Sequence, residues 1–234
     1  LLCRTELDKS KHDGLSYLLV PMNAPGIEVR PLVTMTGRAE FNETFFTDVR
    51  VPTDQIVMGR GDGWHVANVT LKYERMLLGD ANKLTYRLAR AVELMKKTTL
   101  DGCRFIDIPE YRERLLKLQG EVMASKYHGL RLMTEQAKGE DSGVKRLIVK
   151  LNGTMIAYRL SSLVVDVLGA AGLAYEPVGE AAEDDEATTW QIDNMYDIGL
   201  IIGGGSSNIQ KNIIGERGLG LPREPKSAPP TVRG

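Results

Sequence analysis

The sequence predicts an α+β fold, mostly α: a partial antiparallel β domain followed by an antiparallel four-helix bundle. Three observations predict it. Short β-rich runs punctuated by turn residues occupy positions 15 to 60. From Asp62 onward apolar residues recur in steps of three and four, the period of a buried helix face. The helical patterns are long and their links short, which sets neighbouring helices antiparallel. The boundary falls near "MGRGDG", at 58 to 63, so 1–60 reads as an incomplete β domain, 61–220 as a helical bundle and 221–234 as a mobile tail.

The elements follow in order. "LLCRTELD" looks like the middle of a strand entering a turn, and the first residue is Leu1, so lost N-terminal sequence is expected. "LSYLLVPM" and "IEVRPLV" are strand runs separated by the turn cluster "NAPG"; "FNETFFTDVRVP" is a third, ending at Pro52. One long amphipathic helix is expected over 63–97, its inward stripe running through Ala67, Leu71, Glu74, Leu77 or Leu78, Ala81, Leu84, Leu88, Ala91 or Val92, and Met95. A second starts at Pro109, a favoured first-turn residue, and runs to Gly139 with Leu115, Leu118, Val122 and Leu132 inward. A third covers Ser142 to Leu168 through Leu147, Leu151, Met155, Leu163 and Val167. "EPVGEAAEDDEA" breaks the pattern as a solvated acidic loop; a fourth helix spans Thr189 to Ile202, and a short fifth follows the glycine run. The tail "LPREPKSAPPTVRG" carries four prolines and little to bury.

Composition narrows the function. Of 234 residues 42% are apolar, and 30 basic against 31 acidic residues leave a formal charge of -1. That argues against nucleic acid or an anionic membrane as main partner. Cys3 and Cys103, far apart, make neither a disulfide framework nor a zinc cluster, and point to a reducing, cytoplasmic compartment. His12, His65 and His128 are scattered, without ligand spacing, so no metal is expected. The longest apolar stretch, Leu163 to Tyr175, is short for a membrane span and contains Asp166.

Two features carry chemistry. Glu74 falls on the apolar stripe between Leu71 and Leu77. A buried carboxyl holds its proton more tightly and can serve as a general base near neutral pH; a structural salt bridge is the other reading. "IIGGGSSNIQKNIIGER", from 201 to 217, clears side chains from the backbone just before a helix that Ser206 or Ser207 can cap. Such a run admits a phosphate or a flat ring, or is an ordinary hinge. No glycine fingerprint follows a strand, so a Rossmann site is not indicated. Asp166, before "VLGAAG", either faces a cofactor or is a solvated helix-end acid.

Together, "GLSYLLVPMNAPGIEVRPL", "GRAEFNETFFTDVRVP", "GDGWHVANVTLKYER" and "GGGSSNIQKNIIGERGLGLP" resemble the acyl-CoA dehydrogenases over nearly the whole chain, with a bacterial, actinobacterial-like flavour of fatty-acid or steroid side-chain enzymes. The resemblance implies the second half of a middle β domain followed by the C-terminal bundle. It implies FAD as cofactor, an acyl-CoA substrate converted to the trans-2-enoyl-CoA, electron-transfer flavoprotein as acceptor, and a homo- or hetero-oligomer. In one branch of the family the base stands at the position of Gly204, which cannot serve; in another it precedes an arginine, as in "KYER", which makes Glu74 the base and Arg75 an active-site arginine. Gly205 would then meet substrate, and Ser206, Ser207 and Asn208 the flavin. Asp166, Val167, Leu168, Gly169 and Ala170 match a second flavin contact. There are departures: Asn208, Lys211 and Asp166 replace the usual glutamate, arginine and glutamine, and "DGCRFIDIPEYRERL" lacks the family's phenylalanine-glycine pattern. A non-catalytic or half-site subunit, which the departures favour, and a helical-bundle interaction protein stay open beside the dehydrogenase, as does an oxidase, because nothing in the sequence separates oxygen from a flavoprotein as acceptor.

Overall fold

The computed structural model describes residues 1–173, 186–223 and 225. Most of the expected acidic loop and of the proline-rich tail lies outside them. Strand β1 (Leu2–Arg4) pairs antiparallel with β2 (Leu15–Tyr17), placing Cys3 opposite Ser16. Ser16 is fully buried. Its hydroxyl bonds that of Thr5 at 2.6 Å and accepts the Gly61 N–H at 3.1 Å, which ties this pair to the start of the first helix. Strands β3 (Ile27–Leu32) and β4 (Phe41–Phe46) form a hairpin whose Val29, Phe41, Phe45 and Phe46 are exposed. The three predicted strand runs are each present, the first paired with β1 and the other two with each other.

Helices α1 (Gly63–Leu77) and α2 (Ala81–Lys97) replace the single helix expected over 63–97. The break at Leu78–Asp80 has a local and a tertiary cause. Asp80 caps α2, its carboxylate accepting the Asn82 N–H at 2.9 Å. Gly79 lies directly against the backbone of a later helix, where a side chain would collide with the Val149 carbonyl oxygen. A small hairpin, β5 (Thr99–Leu100) with β6 (Cys103–Arg104), was not expected. It turns on Asp101 and Gly102, both at positive φ (50° and 80°), the Asp-Gly preference of a tight turn.

Helix α3 (Pro109–Ala137) begins at its proline and buries Leu115, Leu118, Val122 and Leu132, the predicted stripe. Helix α4 (Lys145–Leu168) is packed by α1, α2, α3, α6 and α7. Its predicted stripe holds at Leu163 and Val167, but Leu147, Leu151 and Met155 are only half-buried, and Lys150, Gly153, Thr154, Ala157 and Ser161 lie deeper. A helix surrounded on several sides has no single apolar face for the period to mark. Helices α5 (Ala170–Leu173), α6 (Glu186–Ile202) and α7 (Ser207–Ile213) follow, the last running into a π-helical turn over Ile214–Gly218.

One core joins α2, α3, α4 and α6 through Leu84, Met95, Leu118, Leu160, Leu163 and Trp190. Each such aliphatic side chain contributes about 1.5–3 kcal/mol by leaving water. Among the described residues no helix is long and apolar enough to cross a membrane.

Candidate active site

The site is organised by one turn of α4, residues 149 to 153. On one side it meets the α1–α2 break: a methyl added at Gly153 would lie 2.5 Å from the Gly79 Cα. Two backbones cross there with no room for a Cβ, which is why both positions are glycine. On the other side it meets the glycine run. Lys150, fully buried, donates from Nζ to the Ile201 carbonyl at 2.8 Å and to the Gly205 carbonyl at 2.7 Å. A cavity of about 290 Å³ lies where the break, α4 and α6 meet, lined by Leu78, Gly79, Gly153, Asp197 and Leu200 among others.

The glycine run is a fixed turn. Gly204 and Gly205 sit at φ 64° and 99°, a region that favours glycine. Ser206 caps α7, accepting the Ile209 N–H at 3.5 Å. Gln210, buried, reaches back from α7 and donates Nε2 to the Gly204 carbonyl at 2.9 Å. Two buried polar atoms beside the run, Ser207 Oγ and Gln210 Oε1, have no hydrogen-bond partner. Gly205 and Ser206 are half-buried and Asn208 is exposed. The choice left open between hinge and cleared backbone is thus narrowed: a hinge would not have its carbonyls held by a buried ammonium and a buried amide.

Glu74 requires a correction. The expected burial on the inward stripe is absent, and the side chain is exposed. The periodicity was sound as far as it went, because Ala67, two turns earlier on the same face, is buried. There, the start of α1 packs on β2, with Gly63 against the Ser16 backbone. Glu74 is nonetheless exposed, so a stripe position is not a buried one. The Arg75 side chain lies outside the described residues.

Asp166 to Ala170 sit elsewhere. Lys150 and Asp166 are sixteen residues apart on one helix, about 24 Å at 1.5 Å per residue. The two groups of residues matched to flavin contacts are therefore at opposite ends of α4. Asp166 is half-exposed and accepts from Arg114 Nη2 at 2.6 Å. Val167 points into the core at 2% exposure, which leaves only its backbone to meet a ligand. Leu168 packs against the core, while Gly169, at φ 55°, and Ala170 are exposed at the helix end.

Lys150, Gln210 and a buried polar network were not singled out from sequence. In that network Arg87 of α2 donates to both Asp197 oxygens, at 3.0 and 2.7 Å. Ser161 of α4 donates to Asp197 at 2.8 Å, and Asn194 to Ser161 at 3.1 Å. The guanidinium groups of Arg87 and Arg90 lie 5.6 and 5.0 Å from the Trp190 ring centre. The one available signal was polar: Lys150, Thr154 and Ser161 recur at helical spacing along α4.

The sequence model of the acyl-CoA dehydrogenase C-terminal domain matches residues 61–219, the segment that contains both Glu74 and the glycine run. The chain belongs to the acyl-CoA dehydrogenase family. Acyl-CoA dehydrogenase IpdE1 of Mycobacterium tuberculosis is 39% identical over 231 residues, covering 97% of this chain and 56% of that protein. Among solved structures, the ChsE4-ChsE5 complex from Mycobacterium tuberculosis aligns with TM-score 0.80 and 28% identity, over 96% of this chain and 57% of that one. The Tcur3481-Tcur3483 steroid ACAD aligns with TM-score 0.82 at 24% identity, over 96% and 56%, which supports the fold alone. The chain thus spans about half the length of the acyl-CoA dehydrogenases it matches.

Proposed function

We propose that this chain supplies the base and one wall of the site of an FAD-dependent dehydrogenase, which converts an acyl-CoA thioester to the trans-2-enoyl-CoA and passes electrons to an electron-transfer flavoprotein. The observation that carries the reading is the shared turn of α4, which grips the helix of Glu74 and the glycine run together. The residues at the run suit a flavin: backbone free of side chains at Gly204 and Gly205, and two buried polar atoms still to be bonded. FAD held there would supply the hydride acceptor for the β-carbon. Glu74 takes the proton from the α-carbon. Gly205 and Ser206 offer backbone to the thioester and the ring.

A second reading has one observation of its own. Glu74 is exposed, Asp166 is occupied by Arg114, and the two flavin-matching groups lie against opposite ends of α4. That arrangement suits a chain contributing to two different flavin sites in a homo- or hetero-oligomer, as a half-site subunit. The outer face of α3 supports assembly with a second chain of the family: Leu116, Met123, Tyr127, Leu130 and Met133 are exposed at helical spacing.

The test is Glu74→Gln in the intact protein, purified with any subunit that accompanies it. Acyl-CoA-dependent bleaching of the flavin should slow by about a hundredfold or more, the lower end of what a general base contributes, with FAD content unchanged. Turnover at the wild-type rate would assign the base to another residue or subunit. A colourless wild-type protein that takes up no FAD would leave a helical interaction module.

A further inference from the structure

We propose that Lys150 is a positioning residue, which together with Gln210 holds the glycine run in the shape that receives its ligand. This rests on the flavin reading above and goes beyond it by naming what shapes the site. Lys150 Nζ bonds the carbonyl of Ile201, in the last turn of α6, and that of Gly205, just before the α7 cap. The last carbonyls of a helix have no partner within it, so one ammonium both satisfies the end of α6 and pins the far side of the turn. Gln210 closes the same turn from α7 through the Gly204 carbonyl. In a planar trans peptide the N–H points opposite the preceding C=O. Drawing the Gly204 and Gly205 carbonyls inward therefore turns the N–H groups of Gly205 and Ser206 away from Lys150, as donors for a bound thioester or ring.

Stability alone does not explain a lysine here. Its side chain is fully buried, both bonds go to neutral carbonyls, and burial holds the ammonium below the ordinary lysine range. A buried charge without a counter-charge is costly, and an apolar residue of similar length is often as stable or more so. What an apolar residue cannot do is fix two carbonyls on opposite sides of a glycine turn.

The experiment uses the intact protein with Lys150→Met, Lys150→Arg and Gln210→Leu. Backbone hydrogen exchange is followed over 199–213, with α3 as internal reference, and FAD affinity is measured by flavin fluorescence. Lys150→Met should speed exchange across 203–210 by about tenfold or more, equivalent to about 1.4 kcal/mol, leave α3 unchanged, and weaken FAD binding by a similar factor. Lys150→Arg, which keeps a donor, should recover part of both. Gln210→Leu should loosen the same segment and serves if Lys150→Met does not fold. Unchanged exchange in both Lys150→Met and Gln210→Leu overturns the proposal, as does acceleration shared equally by α3, which would mean a general loss of stability. A loosened run with unaltered FAD affinity overturns the link to the ligand. If wild-type protein binds no FAD, the flavin reading fails, and the exchange arm alone supports or overturns the hold on the run.

Discussion

Asp193 shows how a single side chain reports on its surroundings. It stands on α6, 3.7 Å from Arg87, beside the buried Arg87–Asp197 pair. Burial pushes its carboxyl above the usual carboxylate range, Arg87 opposes the push, and the charge of Asp197 adds to it. A folded-state value above the unfolded one means that ionisation costs stability. The contribution is whole below about pH 4, the ordinary aspartate value, and is lost as pH rises through the folded value. Asp193→Asn removes that loss. Its stability relative to wild type should rise as pH is raised from about 4 in urea unfolding; a difference that stays flat or falls would mean the carboxyl is not desolvated. Glu74 teaches the converse lesson. Its place on a stripe was legible from spacing, but exposure depends on what lies opposite, and no spacing within one helix contains that.

Among the elements, α4 decides the geometry, and its two kinds of glycine contact can be separated by experiment. Alanine is favoured over glycine in a helix by up to about 1 kcal/mol. At Gly153 that gain meets the Gly79 backbone at 2.5 Å, and overpacking of this kind costs about 1–3 kcal/mol. Gly153→Ala should therefore lower the thermal midpoint by a few degrees and loosen the α1–α2 break. Gly120, in the exposed part of α3, has nothing within 4 Å of an added methyl, so Gly120→Ala should raise the midpoint. Differential scanning calorimetry of the two variants reads opposite signs if the crossing is tight; the same sign for both would show that the Gly79–Gly153 approach is unimportant. The α1–α2 break was missed because the stripe steps from Leu78 to Ala81, past Gly79 and Asp80, with no change of period. Only the contact with Val149 and Gly153 makes the glycine obligatory.

For the molecule as a whole, the proposed assembly through α3 makes a direct prediction. Replacing Met123 and Tyr127 together by glutamate should reduce the assembly mass measured by light scattering. The thermal midpoint of the isolated chain should change little, since exposed positions usually shift stability by less than about 0.5 kcal/mol each. An assembly of unaltered mass would place the interface elsewhere. By itself the sequence determined the family, the order and type of the main elements, the inward face of α3, and the place of the glycine run before a capped helix, because periodicity, caps and turn residues are local properties. The tertiary structure alone decided where the long helix breaks, that α4 is enclosed on several sides, that Lys150 and Gln210 hold the run, and that the two flavin-matching groups stand at opposite ends of one helix. It also decided that Glu74 is open to solvent in this chain. The physical reason is the same each time: burial and partnership are set by residues remote in sequence, and no local pattern records which of them arrive.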